Sequence, residues 1–105
     1  MTPRWTLPIV AVLVSGMSVS ARAETVQISM ENLVISPAEA TVKVGDTIEW
    51  VNKDIFVHTA TARNGDWDVT MPPKKTVTLV LKKAGTIDYY CRFHPNMKAT
   101  LTVGP

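Results

Sequence analysis

The 105 residues contain only one cysteine and two histidines. A single thiol cannot close an intramolecular disulfide, so no disulfide framework holds this chain together. Charge of one sign is also missing. Arg4 and Arg22 lie in an N-terminal stretch that reads as a leader, and the residues after it carry nine basic against nine acidic side chains. That balance argues against a surface built for nucleic acid. It leaves Lys74-Lys75 and Lys82-Lys83 as solvated charges at turns and strand ends. No apolar run approaches the roughly 20 residues of a membrane-spanning helix, and there is no internal repeat, low-complexity tract or sustained helical period.

The N-terminal stretch has a pattern of its own. Arg4 precedes an apolar run from Leu7 to Val14, which Ser15, Gly16, Ser18 and Ser20 interrupt before a small-x-small ending at Ala21-Arg22-Ala23. This is the layout of a secretory signal peptide. Residues 1–23 are therefore expected to be a leader cleaved after Ala23, and the protein to be periplasmic. No cysteine follows the apolar run, so a lipidated N-terminus is not expected. Residues 24–105, 82 in all, form one expected domain. A domain that small has a modest core and often needs a staple or a metal.

After the leader the chain reads as strands separated by turn signals. Val26, Ile28 and Met30 alternate with polar neighbours, as do Val42 and Val44, and Ile48 and Trp50 follow the Gly45-Asp46 turn. Arg63-Asn64-Gly65-Asp66 and Met71-Pro72-Pro73-Lys74 mark further connections. Val77, Leu79 and Leu81 then share one face, followed by Ile87, Tyr89 and Cys91, and finally by Ala99, Leu101 and Val103. About seven short strands at this spacing predict an all-β domain, a small sandwich or barrel. Trp50 and Trp67 are expected as core or half-buried aromatics, and Met30 and Met71 as core or turn residues.

The stretch "YYCRFHPNM" carries the chemistry, because the lone cysteine is followed by His94 and Met97 at steps of three. A buried cysteine, a loop histidine and a core methionine are each unremarkable alone. Together, on a short loop between two strands, they make a soft ligand set of thiolate, imidazole and thioether that favours copper. His58, in "DIFVHTA", is the one histidine left to complete the set. A thiolate and two imidazoles in a plane with a weak axial thioether is the arrangement of blue-copper electron-transfer sites.

"GTIDYYCRFHPNMKATLTV", with "VKVGDTIEWVNKDIFVHT" upstream, resembles the cupredoxins, and within them the short-loop, amicyanin-like group. The likeness covers essentially all of residues 24–105. It implies a Greek-key β-sandwich with one type 1 copper at one end, held by His58, Cys91, His94 and Met97. It also implies that Asn52 ties the two ligand-bearing loops together by hydrogen bonds near the cysteine sulfur. An apolar docking patch around His94 is implied too, with Ile55, Phe56, Phe93 and Pro95 as its candidates and Lys53, Asp54, Arg92 and Lys98 as charges at the rim. Ala99 departs from the glycine frequent in relatives.

The function expected is that of a non-enzymatic, monomeric carrier shuttling single electrons between redox proteins. The resemblance suggests a c-type cytochrome and a dehydrogenase such as methylamine dehydrogenase as those partners. Copper storage or delivery is the alternative. An oxidase or nitrite reductase would need ligands for a substrate-binding copper, and two histidines do not supply them.

Overall fold

A computed structural model describes residues 22–105, so the expected leader lies almost wholly outside the described residues. Among the described residues nine strands follow one another: β1 (Thr25–Glu31), β2 (Val34–Ser36), β3 (Glu39–Lys43), β4 (Thr47–Asn52), β5 (His58–Ala62), β6 (Asp68–Met71), β7 (Thr76–Val80), β8 (Gly85–Tyr90) and β9 (Lys98–Gly104). They form two mixed sheets, one in the order β2-β1-β4-β7 and the other in the order β3-β9-β8-β5-β6. The chain crosses between sheets after β2, β3, β4, β6 and β7, which is the crossover-rich connectivity of a sandwich. Parallel pairing of β1 with β4 and of β3 with β9 joins segments distant in sequence.

The strand count exceeds the expected seven by two, and the two shortest strands, β2 with three residues and β6 with four, are too short to show a clear alternation. Val44 also departs from expectation. It is exposed while Val42 is buried, because β3 ends at Lys43 and the chain turns at Gly45, whose φ of +93° suits a residue without a Cβ.

Inward positions of both sheets meet in one core. Ile28, Met30, Ile48 and Trp50 come from the first sheet, and Val42, Ala60, Ile87, Tyr89, Leu101 and Val103 from the second. The two layers are joined by aromatic rings. Trp50 packs edge-on to Tyr89 at 5.8 Å between centroids, and its indole N–H donates to the Tyr89 hydroxyl at 3.4 Å. Trp67, half-buried in the β5–β6 connection, lies 5.4 Å from Trp50 and 5.3 Å from Tyr89. Burial pushes the Tyr89 phenol up to about 12 against the opposing effect of the Trp50 hydrogen bond, so it stays neutral at ordinary pH.

This layering orients the last two strands. Ile87, Tyr89 and Cys91 all point inward, so the cysteine is delivered fully buried at the end of β8. Leu101, on β9, is equally inaccessible. Leu101→Ala is expected to lower the free energy of unfolding by about 2–5 kcal/mol. Val34→Ala, on the exposed edge strand, should change it by no more than about 0.5 kcal/mol. Urea unfolding followed by tryptophan fluorescence checks both.

Candidate metal centre

The loop after β8 is built from two successive turns. The His94 N–H donates to the Cys91 carbonyl at 3.3 Å, and the Met97 N–H donates to the His94 carbonyl at 2.8 Å. Bonds spanning three residues stack side chains three apart on the same side of the chain. That is the physical reason for the Cys91, His94, Met97 spacing. A third bond, from the Cys91 N–H to the Met97 carbonyl at 3.0 Å, closes the loop at its base. Met97 is buried beside Cys91 in the core, whereas His94 is only half-buried.

His58 arrives from the neighbouring strand. β5 and β8 pair at Thr61 with Tyr90 and at Ala62 with Tyr89, so the antiparallel register carries the start of β5 alongside the Cys91 loop. His58 Nδ1 then lies 3.7 Å from Cys91 Sγ, and His94 Nδ1 lies 3.8 Å from the same sulfur. The ligand atoms of His58, Cys91 and His94 all fall within 4.8 Å of one another. Metal bonds of about 2.3 Å to sulfur and 2.0 Å to nitrogen, set about 120° apart, place S and N about 3.7 Å from each other. Both sulfur–nitrogen distances therefore match those of one ion shared by Cys91, His58 and His94.

Two side chains not assigned to this role from sequence hold the ligands in place. Asp54, expected as a rim charge, is instead buried, with its Oδ2 2.7 Å from His58 Nε2. An ionised carboxylate only accepts, so Nε2 carries the proton and Nδ1 is left with the lone pair that a metal requires. Asp54 also takes the backbone N–H groups of Asn32 at 2.7 Å and Leu33 at 3.1 Å. Those two residues form the tight β1–β2 turn, with φ of 52° and 62°, a conformation that leucine seldom adopts. Burial works to raise the Asp54 carboxyl, but the hydrogen bonds from His58, Leu33 and Asn32 outweigh it and hold the group below the usual carboxylate range.

Thr59 is the second. Its backbone N–H donates to Cys91 Sγ at 3.4 Å, and its hydroxyl accepts the Arg92 N–H at 2.9 Å. The link between the two ligand-bearing segments expected of Asn52 is thus made by Thr59. Asn52 ends β4 in the opposite sheet, and its amide reaches the carbonyls of Phe56, Met71 and Pro72 while its Oδ1 accepts the Asp54 N–H. It braces the loop that leads to His58 rather than the cysteine. In sequence, the acid four residues before a histidine and the hydroxyl directly after it were the available hints.

A family model for the cupredoxin-like domain matches residues 5–103. The chain belongs to the cupredoxin-like family. Amicyanin from Paracoccus denitrificans is 35% identical over 71 residues, covering 62% of this chain and 54% of that protein. Plastocyanin from Nostoc punctiforme is 30% identical, with coverage of 95% and 92%. The crystal structure of amicyanin from Paracoccus versutus superimposes with a TM-score of 0.65 at 28% identity, covering 82% of this chain and 85% of that one. The chain spans 66% and 54% of the lengths of the two amicyanin sequences that it matches. The cofactor of this cupredoxin is copper, which agrees with the softness of its donor set.

The Asp54 carboxylate makes the His58 imidazole a stronger donor, and a stronger donor favours Cu(II) over Cu(I). Asp54→Asn is expected to weaken Cu(II) binding by about 10–100-fold and to raise the reduction potential. Protein-film voltammetry checks the second effect, and an unchanged potential would contradict this role for Asp54.

Proposed function

We propose that this cupredoxin is an exported, monomeric carrier of single electrons. Its copper would be held by His58, Cys91 and His94, with Met97 as a weak axial ligand. The observation that carries this reading is the prearranged triad, in which a buried thiol and two imidazoles already stand at metal-bridging distances. When bound, copper supplies a one-electron Cu(II)/Cu(I) couple. The chain's own residues keep the donor atoms still. Asp54 fixes the tautomer and the plane of His58, the Thr59 N–H stabilises negative charge on Cys91 Sγ, and the two turns of the 91–97 loop hold His94.

Exposure supports a route out of the site. His94 is half-buried, its ring lies 6.0 Å from that of Phe56, and Ile55, Phe56, Phe93 and Pro95 are exposed in the two loops that meet there. Such an apolar patch suits the small, short-lived contact of an electron-transfer encounter. Lys53, Arg92 and Lys98 would steer partners electrostatically. A c-type cytochrome and a dehydrogenase such as methylamine dehydrogenase are the partners we put forward. Export to the periplasm rests on the Leu7–Val14 run and the Ala21-Arg22-Ala23 ending. A non-enzymatic role agrees with the commitment of both histidines of the sequence to one site.

Storage or delivery of copper is the competing reading, and copper retention separates the two. The loaded protein is expected to be intensely blue, to bleach reversibly on reduction, and to keep its metal against a chelator in both states. Ready surrender of copper would favour delivery. Cys91→Ser should abolish the colour, as read by visible absorption. Ile55→Lys, at a side chain 72% exposed, should slow electron transfer to a c-type cytochrome about tenfold while leaving the reduction potential unchanged, as stopped-flow rates and voltammetry would show.

A further inference from the structure

The other end of the molecule holds a second buried carboxylate whose arrangement bears on how the chain begins. Asp46 is 2% exposed and held from several directions. Its Oδ2 accepts the Lys43 N–H at 2.8 Å, its own N–H donates to the Lys43 carbonyl at 3.0 Å, and its carbonyl accepts the Leu81 N–H at 2.9 Å. The remaining oxygen, Oδ1, accepts one bond, from the backbone nitrogen of Glu24 at 2.9 Å. Glu24 is in turn fixed on its other side, where its carbonyl accepts the Thr47 N–H at 2.9 Å. Arg22 and Ala23, just upstream, are exposed and belong to no strand. The chain therefore passes from exposed residues to a hydrogen-bonded one at the Ala23–Glu24 peptide bond, the bond that the Ala21-Arg22-Ala23 ending marks for cleavage.

A buried carboxylate is costly to ionise unless a cation or several donors face it. We propose that the Ala23–Glu24 bond is hydrolysed in the functional protein and that Asp46 is the built receptor for the α-ammonium this creates on Glu24. Hydrolysis by a leader peptidase consumes one water, leaves a carboxylate on Ala23 and an amine on Glu24, and the amine takes up a proton at neutral pH. The bond already made by Glu24 N then becomes an ion pair without any movement of the backbone. It pins the first residue before β1 to the turn before β4, next to the parallel register that pairs Thr25 with Thr47. Processing would in this way complete the sandwich at the end remote in sequence from the copper ligands.

The groups around this ammonium are few. Before cleavage, Lys43 and Val44, from the end of β3, and Pro105, after β9, line a cavity of about 110 Å³ with Asp46, Arg22 and Ala23, and the last two leave with the leader. Lys43 is the competing cation there, and the Glu24 side chain is the nearest further anion in sequence. The Glu24 N–H, the Lys43 N–H and, more weakly, the Lys43 charge already hold the Asp46 carboxyl below its ordinary range despite its burial. The proposal rests on the export reading, and the experiment separates the two.

The full 105-residue chain would be expressed in a bacterium with a general secretory route and recovered from the exported fraction. Intact mass and N-terminal sequencing give the first residue, and NMR titration gives the α-amine pKa, with Asp46→Asn as the comparison. We expect a chain that begins at Glu24 and an α-amine pKa at least about one unit above the ordinary 7.7–8.0, a tenfold firmer hold on the proton. The value should return to the ordinary range in Asp46→Asn. A raised pKa lends stability that is full below about pH 7.7 and lost as pH rises through the raised value. A chain that is neither exported nor processed overturns the export reading and the receptor together. Cleavage at another bond overturns the receptor while export stands. An ordinary pKa in the wild type overturns the ion pair even if Asp46→Asn fails to accumulate, and an equal rise in both proteins removes Asp46 as the partner.

Discussion

Thr59 joins the two pieces of chain from which the metal centre is made, and the rest of the site depends on that junction. β5 and β8 pair at only two positions before they part. In the gap beyond, the Thr59 N–H reaches Cys91 Sγ and its hydroxyl takes the Arg92 N–H, so the loop carrying three candidate ligands is tied to the strand carrying the fourth. Both bonds are short-range contacts between segments more than 30 residues apart. They satisfy polar groups that burial would otherwise leave unpaired, which makes the arrangement costly to distort. A hydrogen bond to the sulfur also stabilises its anionic form, the form in which cysteine binds a metal.

Asp54 extends the same restraint outward. It connects His58 to a tight turn whose two residues hold left-handed backbone conformations, and Asn52 braces the loop after β4 through two hydrogen bonds and ties it to the end of β6 through two more. The ligands are therefore fixed through the β1–β2 turn, the loop after β4 and the loop after β8, each anchored in the sandwich. Cu(II) and Cu(I) prefer different coordination geometries, and a frame with this many anchors keeps the donors near one compromise. Under the proposed carrier role, an electron would then be exchanged with little movement of the protein.

Much of this was legible in the sequence wherever a local rule governs the outcome. Alternation of apolar residues gave the inward faces of β1, β4, β8 and β9, and the step of three from Cys91 to Met97 reflects two consecutive turns. His58 followed because the sequence offers only one other histidine. What stayed hidden is what side chains do across space. Asp54 looked like a rim charge because the backbone donors that draw it inward sit on a turn 21 and 22 residues earlier. The resemblance gave Asn52 a cross-loop role that belongs to Thr59, since only the register of β5 against β8 shows which backbone N–H faces the cysteine sulfur. A three-residue strand such as β2 has no period to detect.

If the fold itself fixes the donor atoms before metal arrives, and the His58–Cys91 pair through reduction as well, crystal structures of the chain in metal-free, Cu(II) and Cu(I) forms will show it. Copper is expected on His58 Nδ1, Cys91 Sγ and His94 Nδ1 beside Met97, with these side chains and their bonds to Asp54 and Thr59 superimposing in the metal-free and Cu(II) forms and His58 and Cys91 unmoved on reduction. Copper bound elsewhere, or a His58–Cys91 pair that assembles only when metal arrives, would contradict this expectation.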